Sequence, residues 1–167
     1  IDSCPHAALV EDKTNPKELH LHPEQCNQCG RCLKAAPPGS LKIDKVNFHA
    51  FQEALAISTS LSLGTFEKGK ATHIIIANQM TPVCDCFGFT GMSILPDAGI
   101  FGGDDIVAVE QAVLDATGSL RLIEENIPTT IEVHTREGLP LRWLHGPYKD
   151  PCLVVGYGEK LGLGTRQ

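Results

Sequence analysis

Cys26-Asn27-Gln28-Cys29-Gly30-Arg31-Cys32-Leu33-Lys34-Ala35-Ala36-Pro37 sets three cysteines at intervals of two residues and closes on a proline. The spacing matches the iron–sulfur run C-x2-C-x2-C-x3-C-P at three thiolates and at the proline. It departs from that run at the fourth ligand, where Ala36 stands. The chemistry explains the intervals. A cubane cluster needs a thiolate sulfur on each iron, and two intervening residues let a tight loop wrap three corners of one cube. Gly30 has no Cβ, so the backbone there can approach a cluster closely. Half of a zinc site is the competing reading, because C-x2-C is common in zinc sites. The third cysteine, the trailing proline and the lack of a downstream C-x2-C or H-x3-H partner favour iron–sulfur.

The start of the chain accounts for the missing ligand. In two-cluster ferredoxins the fourth Cys of each run ligates the other cluster. Residues 3–8 read Ser3-Cys4-Pro5-His6-Ala7-Ala8, a Cys-Pro followed by small residues, which is how the end of a first run looks. Cys4 then supplies the remote ligand to the cluster held by Cys26, Cys29 and Cys32. Ala36 occupies the position that would have served a second cluster, and no C-x2-C-x2-C precedes Cys4. The expectation is one [4Fe–4S] cluster with ligands Cys4, Cys26, Cys29 and Cys32. If Cys4 is instead a plain loop thiol, a [3Fe–4S] cluster or a non-Cys fourth ligand is expected. The cross-ligated arrangement also pins the N-terminal strand beside a strand around Leu41–Ile43.

Seven cysteines is an odd count, and their clustering points to metal binding rather than a disulfide framework. That implies a reducing, cytoplasmic setting. The net charge of −6 disfavours a nucleic-acid partner. No apolar run reaches the length of a membrane span, and no signal peptide is visible. The chain opens at Ile1, which reads as a processed or partial chain.

Outward from the cysteine run, residues 11–24 are polar and read as a connecting excursion. Leu19 and Leu21 alternate with His20 and His22, which suits a short strand leading into the cysteine loop. The two histidines read as strand-face residues rather than ligands. Residues 37–43 read as a turn and a returning strand. From Asn47, a helix is expected with Asn47 as N-cap, a buried stripe of Phe51, Ala54, Leu55, Ser58 and Leu61, and Gly64 at its end. Residues 71–78 are β-branched and continuous, as in a strand buried on both faces, with His73 packed or at an edge and Thr81-Pro82 as its break.

Cys84-Asp85-Cys86 follows. In an extended segment residues i and i+2 share a face, so both thiols point one way. Paired soft ligands suit a thiophilic metal, and two small core cysteines fit equally well. Residues 94–101 read as a short strand with a break. Gly102-Gly103-Asp104-Asp105 opens a helix that Asp104 or Asp105 caps, with Ile106, Val109, Val113 and Ala116 as its buried stripe and Gly118 as its stop. A further strand is expected at 129–134. The glycine-rich close, Gly156 to Gly164, lacks the strand–GxGxxG–helix setting of a nucleotide loop.

The unit 1–43 resembles bacterial-type ferredoxins. The order Cys84-Asp85-Cys86, Ile94-Leu95-Pro96-Asp97-Ala98-Gly99-Ile100, Asp104-Asp105-Ile106-Val107-Ala108-Val109-Glu110-Gln111-Ala112 and Leu161-Gly162-Leu163-Gly164 is similar to the C-terminal half of DUF362-type iron–sulfur proteins. The resemblance implies an α/β (α+β) fold: a ferredoxin-like iron–sulfur segment over 1–43 joined to a small α/β domain over 44–167. It also implies an N-terminal half that this chain lacks, so a missing N-terminal segment or a homo-oligomer is expected.

Three functions follow from these residues. The first is an electron-transfer protein or subunit whose single [4Fe–4S] cluster relays electrons to a partner redox enzyme. The second is half of a metalloenzyme in which Cys84 and Cys86 form a second metal or substrate site fed by the cluster. The third is a zinc-stabilised interaction module. No Ser–His–Asp set, phosphate loop or general acid–base pair stands out for catalysis.

Overall fold

The structure is a computed structural model that describes residues 1–26, 31–41, 45–82, 91–128, 139–145 and 149–167. It divides into two compact units, Ile1–Asp44 and Lys45–Gln167. Helices and small antiparallel sheets alternate along the chain, a mixed α/β class.

In the first unit, β1 (Leu9–Glu11) pairs antiparallel with β2 (Leu19–Leu21), with Leu9 opposite Leu21, Val10 opposite His20 and Glu11 opposite Leu19. The alternation of Leu and His in 19–22 thus does mark a strand. The connecting turn is tied by Asp12, whose carboxylate accepts the backbone N–H groups of Thr14 at 2.7 Å and Asn15 at 3.0 Å. These bonds satisfy backbone that a three-residue strand pair leaves open. Among the described residues the strand beside β1 is β2, and the one expected around Leu41–Ile43 falls largely outside them. Residues 37–40 form a turn closed by Ser40 N–H donating to the Pro37 carbonyl at 3.0 Å, and 42–44 lie outside the described residues. A short helix, α1 (Arg31–Ala35), follows the cysteine loop.

The second unit is layered. β3 (His73–Ala77) pairs antiparallel with β4 (Gly99–Gly103), Ile75 opposite Phe101 and Ala77 opposite Gly99. Helix α3 (Ile106–Gly118) packs on one face of this pair, α5 (Cys152–Lys160) packs on α3, and α2 (Lys45–Leu63) packs on α5. A further short helix, α4, spans Pro140–His145. Ala56, Ala77, Ile94, Leu95, Val107, Val109 and Val155 form the core.

Several expectations are corrected here. α2 starts at Lys45, so Asn47 lies inside it rather than capping it. Its buried residues are Gln52 and Ala56, whereas Phe51, Ala54, Leu55, Ser58 and Leu61 are exposed. A helix with apolar residues on two sides does not reveal from its period which side meets α5. β3 is covered on one face only: Ile74 and Ile76 are exposed, as is Ile100 across the pair. The strand expected at 94–101 begins at Gly99; Ile94 and Leu95 precede it, fully buried, with Ile94 N–H donating to the Met80 carbonyl at 2.8 Å. In α3 the fully buried side chains are Val107, Val109 and Thr117, with Ile106, Val113 and Ala116 half-buried beside them. The strand expected at 129–134 lies outside the described residues.

Two further expectations match. Gly64 directly follows α2, donating its N–H to the Ser60 carbonyl at 2.9 Å. Asp105 caps α3: its side chain accepts the Ala108 N–H at 2.9 Å. The same carboxylate accepts the Thr165 N–H at 2.9 Å, so one aspartate both starts α3 and anchors the segment after α5.

Candidate metal centre

The β1–β2 hairpin decides where the cysteines go. Because the strands are antiparallel, the start of β1 lies beside the end of β2, and His22 N–H extends the ladder by donating to the Ala8 carbonyl at 2.8 Å. Cys4 lies five residues before Leu9, and Cys26 lies five residues after Leu21. Both therefore leave from the same end of the hairpin. Cys26 closes a turn, its N–H donating to the Pro23 carbonyl at 3.3 Å, and Cys32 sits in α1 with its carbonyl accepting the Ala36 N–H at 2.9 Å. Cys4, Cys26 and Cys32 are free and half-buried. Cys29, with 27–30, lies outside the described residues, and among the described ones no three His, Cys, Asp or Glu side chains stand together as a metal set.

The local backbone around Cys4 suits a thiolate. Its N–H donates to the Ile1 carbonyl at 2.9 Å and its carbonyl accepts the Ala7 N–H at 3.3 Å, so residues 1–7 coil into turns. Ala7 has φ of 50°, a left-handed conformation uncommon for any residue with a Cβ. It swings the Ala8 N–H onto the Cys4 sulfur, at 3.3 Å. The backbone N–H of His6, then that of Ala8, holds the Cys4 thiol below its usual range, with burial opposing and Leu9 and the N-terminal ammonium assisting. Donors aimed at sulfur stabilise the thiolate, the form that binds metal. Nothing in the residue types announces these donors; alanine has no left-handed signature.

Cys152 sits in the opposite environment. Burial first, and then the Asp150 carboxylate, pushes its thiol up. Asp150 also accepts the Cys152 N–H at 3.0 Å at the start of α5 and lies 3.5 Å from Arg142. This cysteine is held as a neutral thiol. Cys84 and Cys86, the expected second metal or substrate pair, lie outside the described residues. His20 and His22 stack edge to face, centroids 4.9 Å apart, and His22 Nδ1 lies 3.1 Å from a Glu24 carboxylate oxygen.

Comparison with known proteins gives two partial matches. The chain is 37% identical over 49 residues to the polyferredoxin protein MvhB of Methanothermus fervidus, a match covering 26% of this chain and 12% of that protein. It is 35% identical over 52 residues to the polyferredoxin protein MvhB of Methanothermobacter marburgensis, covering 27% of this chain and 13% of that protein. The matches thus span about an eighth of the length of these relatives. No protein-family model and no solved structure matches the chain. The similarity of the second unit to DUF362-type proteins rests on its quoted residues alone. The partial likeness to polyferredoxins supports an iron–sulfur, ferredoxin-like unit.

Proposed function

We propose that the chain is an iron–sulfur electron-transfer protein or subunit, with one [4Fe–4S] cluster held by Cys4, Cys26, Cys29 and Cys32. The observation that carries this reading is the Cys4 turn. A cysteine distant in sequence from the run leaves the hairpin at the same end as Cys26, and its sulfur already accepts a backbone N–H. The donor set is all sulfur, which suits iron–sulfur clusters. Such a cluster, when bound, accepts and releases single electrons. The chain's own contribution is to supply thiolates, to aim the Ala8 N–H at one of them, and to close the loop with α1. Hydrogen bonds to ligand sulfur raise a cluster's reduction potential.

The electron would pass to a partner redox enzyme in a reducing, cytoplasmic setting. Among the described residues no helix is long and apolar enough to cross a membrane. On its quoted residues, we assign the second unit to a DUF362-like scaffold.

Anaerobic purification with iron and sulfide analysis and electron paramagnetic resonance tests the reading. About four irons per chain are expected. Cys4→Ala should yield a [3Fe–4S] signal or lose the iron, and adding Ala36→Cys should not rescue it. Zinc in place of iron, or full iron and an unchanged spectrum in Cys4→Ala, would overturn the assignment.

A further inference from the structure

Two histidines stand together on one side of the β1–β2 hairpin. Residues i and i+2 of an extended strand share a face, and His20 and His22 have that spacing in β2 and its continuation. Their rings lie with centroids 4.9 Å apart. Across the pair stand Val10, opposite His20, and Ala8, whose carbonyl takes the His22 N–H. Neither brings a positive charge to that side. His20 is exposed and His22 half-buried, so ions in solution reach both rings.

A carboxylate orients one of them. Glu24 Oε1 lies 3.1 Å from His22 Nδ1. The Glu24 carboxyl is held below its ordinary value, first by its own backbone N–H and then, against a desolvation that opposes it, by the His22 ring. It is therefore ionised and can only accept. His22 Nδ1 carries the proton, which leaves the lone pair of the neutral ring on Nε2, facing away from Glu24. A carboxylate behind the imidazole is the support that metal-ligating histidines ordinarily have. The charges of Asp12 and Glu24 also act on His20, so this side of the hairpin attracts cations.

We propose that His20 and His22 chelate a divalent late first-row transition metal, such as Ni2+ or Zn2+, through their imidazole nitrogens. Imidazole suits these ions. The spacing suits them too. A metal about 2.1 Å from a ring nitrogen lies about 3.2 Å from that ring's centroid, so rings at adjacent corners of an octahedral or tetrahedral ion stand about 4.5–5.2 Å apart. The observed 4.9 Å falls within that interval. Turning the exposed His20 ring about its Cβ–Cγ bond, a soft torsion, brings its nitrogen to the shared point and leaves the centroids nearly in place. Pairing with β1 fixes both rings on one side beforehand, which reduces the ordering cost of binding. Among the described residues no third His, Cys, Asp or Glu side chain completes the set, so water takes the remaining positions. The chelate uses none of the cysteines and stands whether or not they hold iron.

Equilibrium dialysis of the anaerobically purified full chain against micromolar Ni2+ tests the inference, with nickel-edge X-ray absorption on the same samples. The bound nickel should show a first shell of nitrogen and oxygen, outer-shell scattering from two imidazoles and no sulfur. His20→Gln and His22→Gln should each abolish this uptake, with an unchanged circular dichroism spectrum for His20→Gln because the position is exposed. His49→Gln, on α2, should leave it intact. Glu24→Ala should weaken it about tenfold with the two-imidazole signature retained, as expected on losing an outer-shell partner. No uptake, sulfur in the nickel shell, or uptake indifferent to His20→Gln and His22→Gln would overturn the chelate. Equal affinity in Glu24→Ala would overturn the orienting role of that carboxylate.

Discussion

A cysteine's readiness to form a thiolate depends on its surroundings, and Cys4 and Cys152 show the two directions. Backbone N–H groups pull the first thiol down, while burial and a neighbouring carboxylate push the second up. The difference comes from a turn: Ala7 in the left-handed region points the Ala8 N–H at the Cys4 sulfur. Asp105 is the corresponding residue of the second unit. Burial works against its charge, but the backbone N–H groups of Ala108, Thr165 and Val107 outweigh it and hold the carboxyl below its ordinary value. A depressed folded-state value means that the stabilisation is present above the unfolded value, near ~3.9, and is lost as pH falls through the folded one. Asn caps a helix as well as Asp does. Asp105→Asn should therefore stay folded at neutral pH and lose less stability between pH ~5 and ~2 than the parent protein. Denaturant melts across that range measure it, and equal acid sensitivity in the two proteins would sink the account. Gly164 packs against the same carboxylate: a Cβ there would collide with it. Gly164→Ala should cost about 1–3 kcal/mol, the usual range for forcing atoms into a filled site.

The elements were legible where their signals are local. Gly102-Gly103-Asp104-Asp105 announces a cap because capping chemistry is complete within four residues, and the Leu-His alternation of 19–22 announces a strand. Signals that need a partner were not legible. The period of α2 cannot choose between two apolar sides, and a β-branched run such as Ile74-Ile75-Ile76 does not say how many of its faces are covered. α5 was missed altogether, because glycine at 156 and 158 disfavours helix by propensity. Packing explains one of them. A Cβ on Gly158 would lie 3.3 Å from a Val107 methyl, so α5 approaches α3 closely there. The helix then closes on a Schellman motif: Gly162 has φ of 74°, Leu163 N–H donates to the Gly158 carbonyl and Gly162 N–H to the Glu159 carbonyl, both at 3.0 Å. Among the described residues Gly156 has no such duty, since its nearest neighbour there would be an Arg166 nitrogen at 4.0 Å. Gly156→Ala should thus raise stability by about 0.5–1 kcal/mol, whereas Gly158→Ala should fail to gain it, because the buried Val107 must shift to admit the methyl. Thermal melts of the two variants decide the point, and equal gains would show that the close approach has no cost.

At the scale of the whole molecule the two units differ in what holds them together. Among the described residues the buried apolar side chains of Ile1–Asp44 are Ala8 and Leu9, while those of Lys45–Gln167 are Ala56, Ala77, Ile94, Leu95, Val107, Val109 and Val155. A unit of that size with so little buried surface cannot offset about 1–2 kcal/mol of backbone entropy per residue from packing alone. Its three-residue strands are stitched by turns rather than by a core. On the proposed reading thiolate ligation supplies the remaining folding energy, and small metal-bound domains commonly unfold when the metal leaves. Removing iron with a chelator under anaerobic, reducing conditions should accordingly abolish amide-exchange protection in β1 and β2 while α3 and β3, anchored in the second core, keep theirs. Cys29→Ser should reproduce the same pattern, since it withdraws a thiolate without touching the apolar residues. Retention of full protection across β1 and β2 after the iron has gone would mean that the hairpin stands by itself, and that Cys4 and Cys26 are brought together before any metal binds.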